Sequence, residues 1–250
     1  MNKPIYRLLA DRKWREYKRP LVVQRIKQLA IVPDVLPHFE PTAAVLLAFR
    51  RREVQPGDYV DSRVSELPAR LKVQVFDKGE RLVSVVVVDS DVPNVKNDHF
   101  NTRCHYLSAN IPISPTQISL PLGKVDSTSQ LVLPWLPPFA QKGSPYHRYS
   151  VWVLEQKPGQ TLDPAALKEK AQRDRFSLRS FVDRYNVKPI GVGIFRSQWD
   201  EGTKGVMQRA NIEGWDIEFK RKRIPALKPK QKPRGWEARH SSDKYKPLRR

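Results

Sequence analysis

One cysteine, Cys104, is all the thiol in this 250-residue chain. A disulfide within the chain is therefore excluded, and the sequence suits a reducing interior. No apolar run approaches the roughly 18–20 residues that a bilayer span needs, so no membrane span is expected. Serine is missing from the start, the first being Ser62, and Asp11 and Glu16 interrupt the early basic residues. Transit peptides are usually Ser-rich and poor in acids, so this segment reads as mature protein. Catalytic signatures are missing too: there is no Gly-x-Ser-x-Gly elbow and no P-loop, and Gly191-Val192-Gly193 lacks the remaining glycine of a dinucleotide fingerprint. His38, His99 and His240 stand alone, and Cys104 reads as a core residue. No nucleophile–base pair emerges, so the chain is not expected to be an enzyme. No internal repeat is present.

What is abundant is positive charge, +20 overall with a pI near 10.2. Residues 1–30 carry nine Lys/Arg against two acids, and residues 220–250 carry thirteen against two. The ends thus hold +7 and +11, while residues 31–219, with twenty-four basic and twenty-two acidic residues, hold only +2. This layout divides the chain into a basic N-terminal extension (1–30), one globular domain (31–219) and a basic tail (220–250). Two cationic arms on a near-neutral body suit a domain anchored on a polyanion. Nucleic acid is favoured over a membrane or an acidic protein, because neutralising phosphates releases counterions.

Ile5, Leu8, Leu9 and Tyr17 give a helical stripe beside Arg7, Arg12, Lys13, Arg15, Lys18 and Arg19. Pro20 is expected to end this helix, and Leu21, Val22, Ile26 and Leu29 begin a second. Trp14 and Tyr17 interleave with the cations and suit stacking on unpaired bases or packing on a neighbouring protein. From residue 31 the texture becomes short apolar runs broken by Pro, Gly and Asp. Strands are expected at Ala43–Phe49, Leu71–Phe76, Val83–Asp89, His105–Ile111, Leu131–Leu133, Tyr149–Leu154 and Val192–Phe195. The run Val85–Val88 reads as a central strand covered on both faces. Asp163-Pro164 signals a helix start leading into Ala165–Arg175, with a second helix over Leu178–Tyr185. The body is therefore mainly β, an antiparallel sandwich or sheet with late helices. After Trp215 the tail mixes Pro with Lys220, Arg221, Lys222, Arg223, Lys228, Lys230, Lys232 and Arg234. Proline among cations forbids a regular helix and favours an extended, solvated chain.

Three polar clusters lie at strand ends: Asp89-Ser90-Asp91-Val92-Pro93, then His105-Tyr106 through Asn110-Ile111-Pro112, and then Pro137-Pro138, Gly143 and His147-Arg148-Tyr149. Carboxylates, imidazoles and a phenol in one pocket would suit a metal, general acid–base work or an anion held by hydroxyl and imidazolium donors. Spacing alone selects none of these, and the same residues can simply satisfy buried hydrogen bonds.

In order, these clusters resemble the phosphatidylethanolamine-binding protein family, whose members show Asp-Pro-Asp-Ala-Pro, a His strand ending in Asn-Ile-Pro, and Pro-Pro…Gly…His-Arg-Tyr. Ile31–Pro37, Val54…Pro56-Gly57, Phe176…Phe181…Tyr185 and Trp199-Asp200 extend the resemblance over about residues 31–200. It implies an antiparallel β-sandwich with C-terminal helices and a small anion pocket. Asp89, Asp91, Pro93, His105, His147 and Tyr149 match the pocket positions. Ser90 and Val92 depart from the family's Pro and Ala. A Gly-rich wall becomes Pro134-Trp135-Leu136-Pro137-Pro138, so Trp135 and Leu136 are expected to block the space that glycine would leave. About three extra residues within Phe139–Lys142 precede His147. The pocket is thus expected to be a remnant, with no cofactor, no metal and no small ligand.

One branch of that family, in the mitochondrial large ribosomal subunit, has basic extensions around a modified body, and this chain resembles its fungal members. That implies a structural protein of the mitochondrial matrix whose arms neutralise ribosomal RNA and touch neighbouring ribosomal proteins. The rival is a soluble phospholipid-head-group or phosphate-binding regulator of the ordinary family type.

Overall fold

The computed structural model describes residues 3–220 and 235–240. Arg221, Lys222, Arg223, Lys228, Lys230, Lys232 and Arg234 of the basic tail lie outside the described residues. Residues 1–219 form one compact unit and 220–250 another.

Among the described residues ten strands form two sheets. They are β1 (Ala44–Phe49), β2 (Arg52–Val54), β3 (Asp58–Tyr59), β4 (Arg70–Gln74), β5 (Arg81–Asn94), β6 (His99–Ile113), β7 (Ser119–Pro121), β8 (Leu131–Leu133), β9 (His147–Glu155) and β10 (Lys188–Ser197). The small sheet runs β2-β1-β4-β7 and the large one β3-β10-β9-β5-β6-β8. Every pairing is antiparallel except that of β3 with β10. Alternation along β5 sets the layers, since neighbouring side chains on a strand point to opposite faces. Val85 and Val87 join Leu47, Phe49, Leu71 and Val73 in the core between the sheets. Val86 and Val88 join Trp152, Leu162, Phe176 and Phe181 on the other face. All four valines are essentially inaccessible, as expected for a strand covered on both sides.

The second cover is helical. Helices α1 (Pro4–Lys13) and α2 (Arg19–Gln28) are joined through a π-helical stretch, Trp14–Lys18. The expectation that Pro20 ends the first helix is therefore corrected. Proline lacks the N–H that would bond residue 16 and its ring crowds that carbonyl. The widened turn, in which Arg19 N–H reaches Trp14 O, lets the helix pass this point. Trp14 packs on Phe76 with ring centroids 5.3 Å apart, and Ile26 is buried in the outer core. Ile5, Leu8, Leu9 and Tyr17 remain exposed, so the N-terminal stripe does not pack on the body.

Helix α3 (Pro164–Lys170) starts where expected, with Asp163 accepting from Ala165 N–H, but it ends earlier than the expected Arg175. Ala171 turns extended and the chain then runs along β6: Cys104 N–H donates to Arg173 O and Phe176 N–H to Thr102 O. Free backbone groups at this end of β6 need partners, and that requirement overrides helix propensity. Helix α4 (Leu178–Tyr185) has the expected bounds, with a Ser177 cap and Asn186 closing it in the left-handed region. A last helix of the unit, α5 (Thr203–Arg209), and the single turn Ser62–Ser65 carry no prior expectation.

Substituting Trp14→Ala should loosen the N-terminal helix without unfolding the sandwich. Amide exchange over residues 4–18 should accelerate at least tenfold, while the core strands keep their protection. Equal acceleration in β5 would show the helix to be integral to the core.

Candidate functional site

Asp89 continues the inward-facing series Val83, Val85 and Val87 to the end of the sandwich, so the alternation that builds the core also carries a carboxylate into it. Tyr149 lies opposite it on β9, and His147 two residues earlier shares that face. His105 arrives differently. Val87 pairs with Tyr106 and Val88 with Cys104, leaving His105 as the extra residue of a β-bulge. A bulge re-aims a side chain, and this one turns the imidazole toward Asp89 and the Tyr149 ring, whose centroid is 5.1 Å away.

The four side chains are sealed: Asp89 and His147 are 2% exposed, and His105 and Tyr149 are fully buried. His147 Nδ1–H donates to Asp89 Oδ2 at 2.8 Å, and the Asp91 amide donates to Asp89 Oδ1 at 2.9 Å. His105 Nδ1 lies 3.0 Å from Leu136 O. A carbonyl only accepts, so this nitrogen carries the proton and Nε2 faces Asp89 Oδ2 at 3.8 Å as a bare lone pair. Tyr149 O–H donates to Phe139 O at 2.7 Å and accepts from Phe139 N–H at 3.0 Å. The cluster's donors are thus consumed internally, and neither Nε2 has a hydrogen-bond partner among the described residues.

Electrostatics follow from burial. Desolvation pushes the Asp89 carboxyl up, but the hydrogen bond and electrostatic pull of His147, the pull of His105 and the Asp91 amide together hold it below its ordinary value. Desolvation lowers His105 to about 4 against the pull of Asp89, so the ring is neutral near pH 7. Burial also drives the Tyr149 phenol well above its usual range. A neutral imidazole, an engaged hydroxyl and an ionised carboxylate make a poor anion site. Among the described residues no group of three His, Cys, Asp or Glu side chains could hold a metal ion. No described helix is long and apolar enough to cross a membrane.

The structure brings together Asp89, His105, His147 and Tyr149 from the expected pocket set. Asp91 faces another partner: Arg148 grips it through Nε and Nη2 at 2.8 and 2.7 Å, and the Arg148 amide adds a third bond at 2.8 Å. Arg148 Nη1 also donates to Leu29 O and Asp34 Oδ2, at 2.7 and 2.8 Å. The Asp91 hydrogen bonds raise the Arg148 pKa further still, so its charge is permanent. Pro93 sits farther along the hairpin, paired with Phe100. Trp135 lies against Phe49 and Tyr106 in the sandwich, with its indole N–H on Ser65 O. Leu136 meets His105 through its backbone. Phe139, from the extra segment, is the side chain over the cluster, 6.0 Å from His105 between ring centroids.

The extra segment is itself clamped. Gln141 Nε2 donates to Gly214 O and Phe219 N–H to Lys142 O. Gly143, at φ +82°, approaches Phe219 so closely that a Cβ would run into its carbonyl. In the sequence Arg148 stands only within the His147-Arg148-Tyr149 motif, and Phe139 only as the start of the extra segment. The available signal for Arg148 was a cation standing between His147 and Tyr149. No signal marked the bulge.

Comparison with known proteins fits this geometry. A two-sheet sandwich with this strand-end cluster defines a protein class, and the family model described as phosphatidylethanolamine-binding protein matches residues 50–188. The chain belongs to that family. It is similar to large ribosomal subunit protein mL38 of Schizosaccharomyces pombe, at 28% identity over 227 residues, covering 89% of this chain and 71% of that protein. TERMINAL FLOWER 1 of Arabidopsis thaliana is 26% identical over 182 residues, covering 72% of this chain and 90% of that protein. Among solved structures, a phosphatidylethanolamine-binding protein from Plasmodium vivax superposes with a TM-score of 0.56 at 16% identity, covering 71% of this chain and 97% of that one.

Two outcomes test the site. Because the folded His105 pKa lies below its unfolded value, the unfolded chain binds more protons between about pH 6.5 and 4. Stability should fall as pH drops through that window, by up to ~3 kcal/mol. Asp89, depressed when folded, should withdraw further stability only below the ordinary carboxylate range. Urea unfolding against pH should show the first loss in the native chain and a much flatter profile from about pH 6.5 to 5 in His105→Gln, above the range where the depressed carboxylates take part. Separately, Arg148→Ala should cost about 3 kcal/mol, since it strands the Asp91 carboxylate. A change under 1 kcal/mol would show Asp91 to be solvated.

Proposed function

We propose that this protein is a structural component of the large subunit of the mitochondrial ribosome, acting in the matrix without catalysis. The supporting observation is what lies around the family domain. The family model spans residues 50–188, whereas the similarity to mL38 extends over 227 residues and so includes sequence outside that domain. Most of the excess charge also lies outside it: residues 50–188 hold +6 of the +20. In this reading residues 31–219 are a body that occupies a fixed place, and residues 1–30 and 220–250 are extensions that bind ribosomal RNA and neighbouring proteins.

The closed cluster supports the same reading. Asp89, His105, His147 and Tyr149 form the remnant of an anion pocket whose donors now hold the fold together. Phe139, with the Leu136 carbonyl, takes the role expected of Trp135 and Leu136. On the N-terminal helix Lys13 and Lys18 are exposed, while Arg12 and Arg15 pair with Glu16 and Asp11 at 2.9 and 2.8 Å. Arg19 is held by Glu40 and Pro41 O. Exposed helical pairs contribute only about 0.3–0.5 kcal/mol, so RNA phosphate can displace them. Flexible Lys/Arg contacts suit A-form RNA, which is recognised through phosphate, 2′-hydroxyl and shape.

The purified chain should bind structured ribosomal RNA with an affinity that falls about 10³–10⁵-fold between 50 and 200 mM salt, as six to ten phosphate contacts require. Removing residues 220–250 should flatten that dependence. O-phosphorylethanolamine at millimolar concentration should leave the NMR signals of His105, His147 and Tyr149 in place. Shifts in those signals, with salt-independent RNA binding, would favour a head-group-binding regulator instead.

A further inference from the structure

The near-neutral body is not evenly near-neutral. Residues 164–188 carry seven basic and three acidic residues, a net of +4. The rest of the body, 31–163 and 189–219, carries seventeen basic and nineteen acidic residues, a net of −2. This cationic stretch is α3, the segment along β6, and α4. Leu167, Phe176, Leu178 and Phe181 bury its apolar side on the outer face of the large sheet, which turns its charges outward.

Between the two helices lies a cleft of about 270 Å³. Lys170, Arg175 and Arg184 line it, all exposed, and none makes an ion pair among the described residues. The cleft's own acid, Asp174, is occupied by Arg103 at 2.6 Å. Three cations around one concavity repel each other without a counter-charge. The wall supplies aromatic surface: Tyr185 is half-buried, its ring 4.8 Å from that of Phe181, with Phe176 beside it. Cations that hold phosphate next to a ring that can meet a base are the two parts of a single-strand RNA site. The volume suits one nucleotide and not a duplex.

We propose that this cleft docks an unpaired nucleotide of RNA, its phosphates held by Lys170, Arg175 and Arg184 and its base against Tyr185. The proposal rests on the ribosomal reading above and adds a third contact, on the body itself, to the two arms. An acidic protein segment would satisfy the charges but leave the aromatic wall without a purpose.

The test uses the full chain and a single-stranded RNA carrying 4-thiouridine. Irradiation should give an adduct on Tyr185 or its neighbours within 164–188. Changing Lys170, Arg175 and Arg184 together to Gln should lower the slope of log affinity against log salt by about 2, as the loss of three single-strand phosphate contacts requires. The matched variant at Arg50, Arg51 and Arg52, an exposed basic turn, should leave it unchanged, and circular dichroism should show all three chains folded. Adducts confined to the two terminal extensions, with the slope unaltered in the cleft variant, would overturn the cleft while leaving the ribosomal reading intact. Failure of the native chain to bind RNA at all would overturn both. Protein cross-linking that joins the cleft to an acidic segment of another ribosomal protein would overturn the RNA assignment.

Discussion

Two carboxylates at the end of the most deeply buried strand impose the condition that the surrounding structure meets. Neither carboxylate can be held there without partners, because taking an unpaired charge out of water costs several kcal/mol. Asp89 is satisfied from within the sandwich by His147 and by the backbone of its own strand. Asp91 is satisfied by Arg148, and that guanidinium has further donors to place. They reach Leu29 O and Asp34, so the condition on one strand end also fixes where the N-terminal helix meets the body.

The same condition explains why the cluster is closed. A pocket for an anion needs donors that are free in the unliganded protein. Here Tyr149 is spent on both the N–H and the C=O of Phe139, and His105 on Leu136. The extra residues that supply Phe139 are in turn fixed by the 214–219 segment. The 139–143 and 214–219 segments together leave these side chains in the core.

Much of the fold was legible because periodicity and caps are local. Val85–Val88 reads as a strand buried on both faces from its composition alone, and Leu178–Tyr185 is bounded by a serine cap and an asparagine that accepts the left-handed region. That Asp89, His105, His147 and Tyr149 could share a pocket was suggested by polar clusters at strand ends, and the resemblance singled out these positions, since three strands bring them together. What was not legible has tertiary causes. Pro20 is a helix breaker by its own chemistry, and only a π-widened turn lets the helix continue. The residues after Lys170 favour helix, but β6 needs backbone partners there. Trp135 resembles a plug in sequence, yet the space beside Phe49 and Tyr106 takes it.

The central claim is that this family body serves as a fixed part of a ribosomal particle. Sucrose-gradient sedimentation of a mitochondrial lysate containing the tagged chain tests it most directly. The account predicts that at moderate salt the chain co-sediments with the large subunit and its RNA, and leaves it as salt rises. Recovery of the chain only at the top of the gradient, with the large subunit intact lower down, would contradict it.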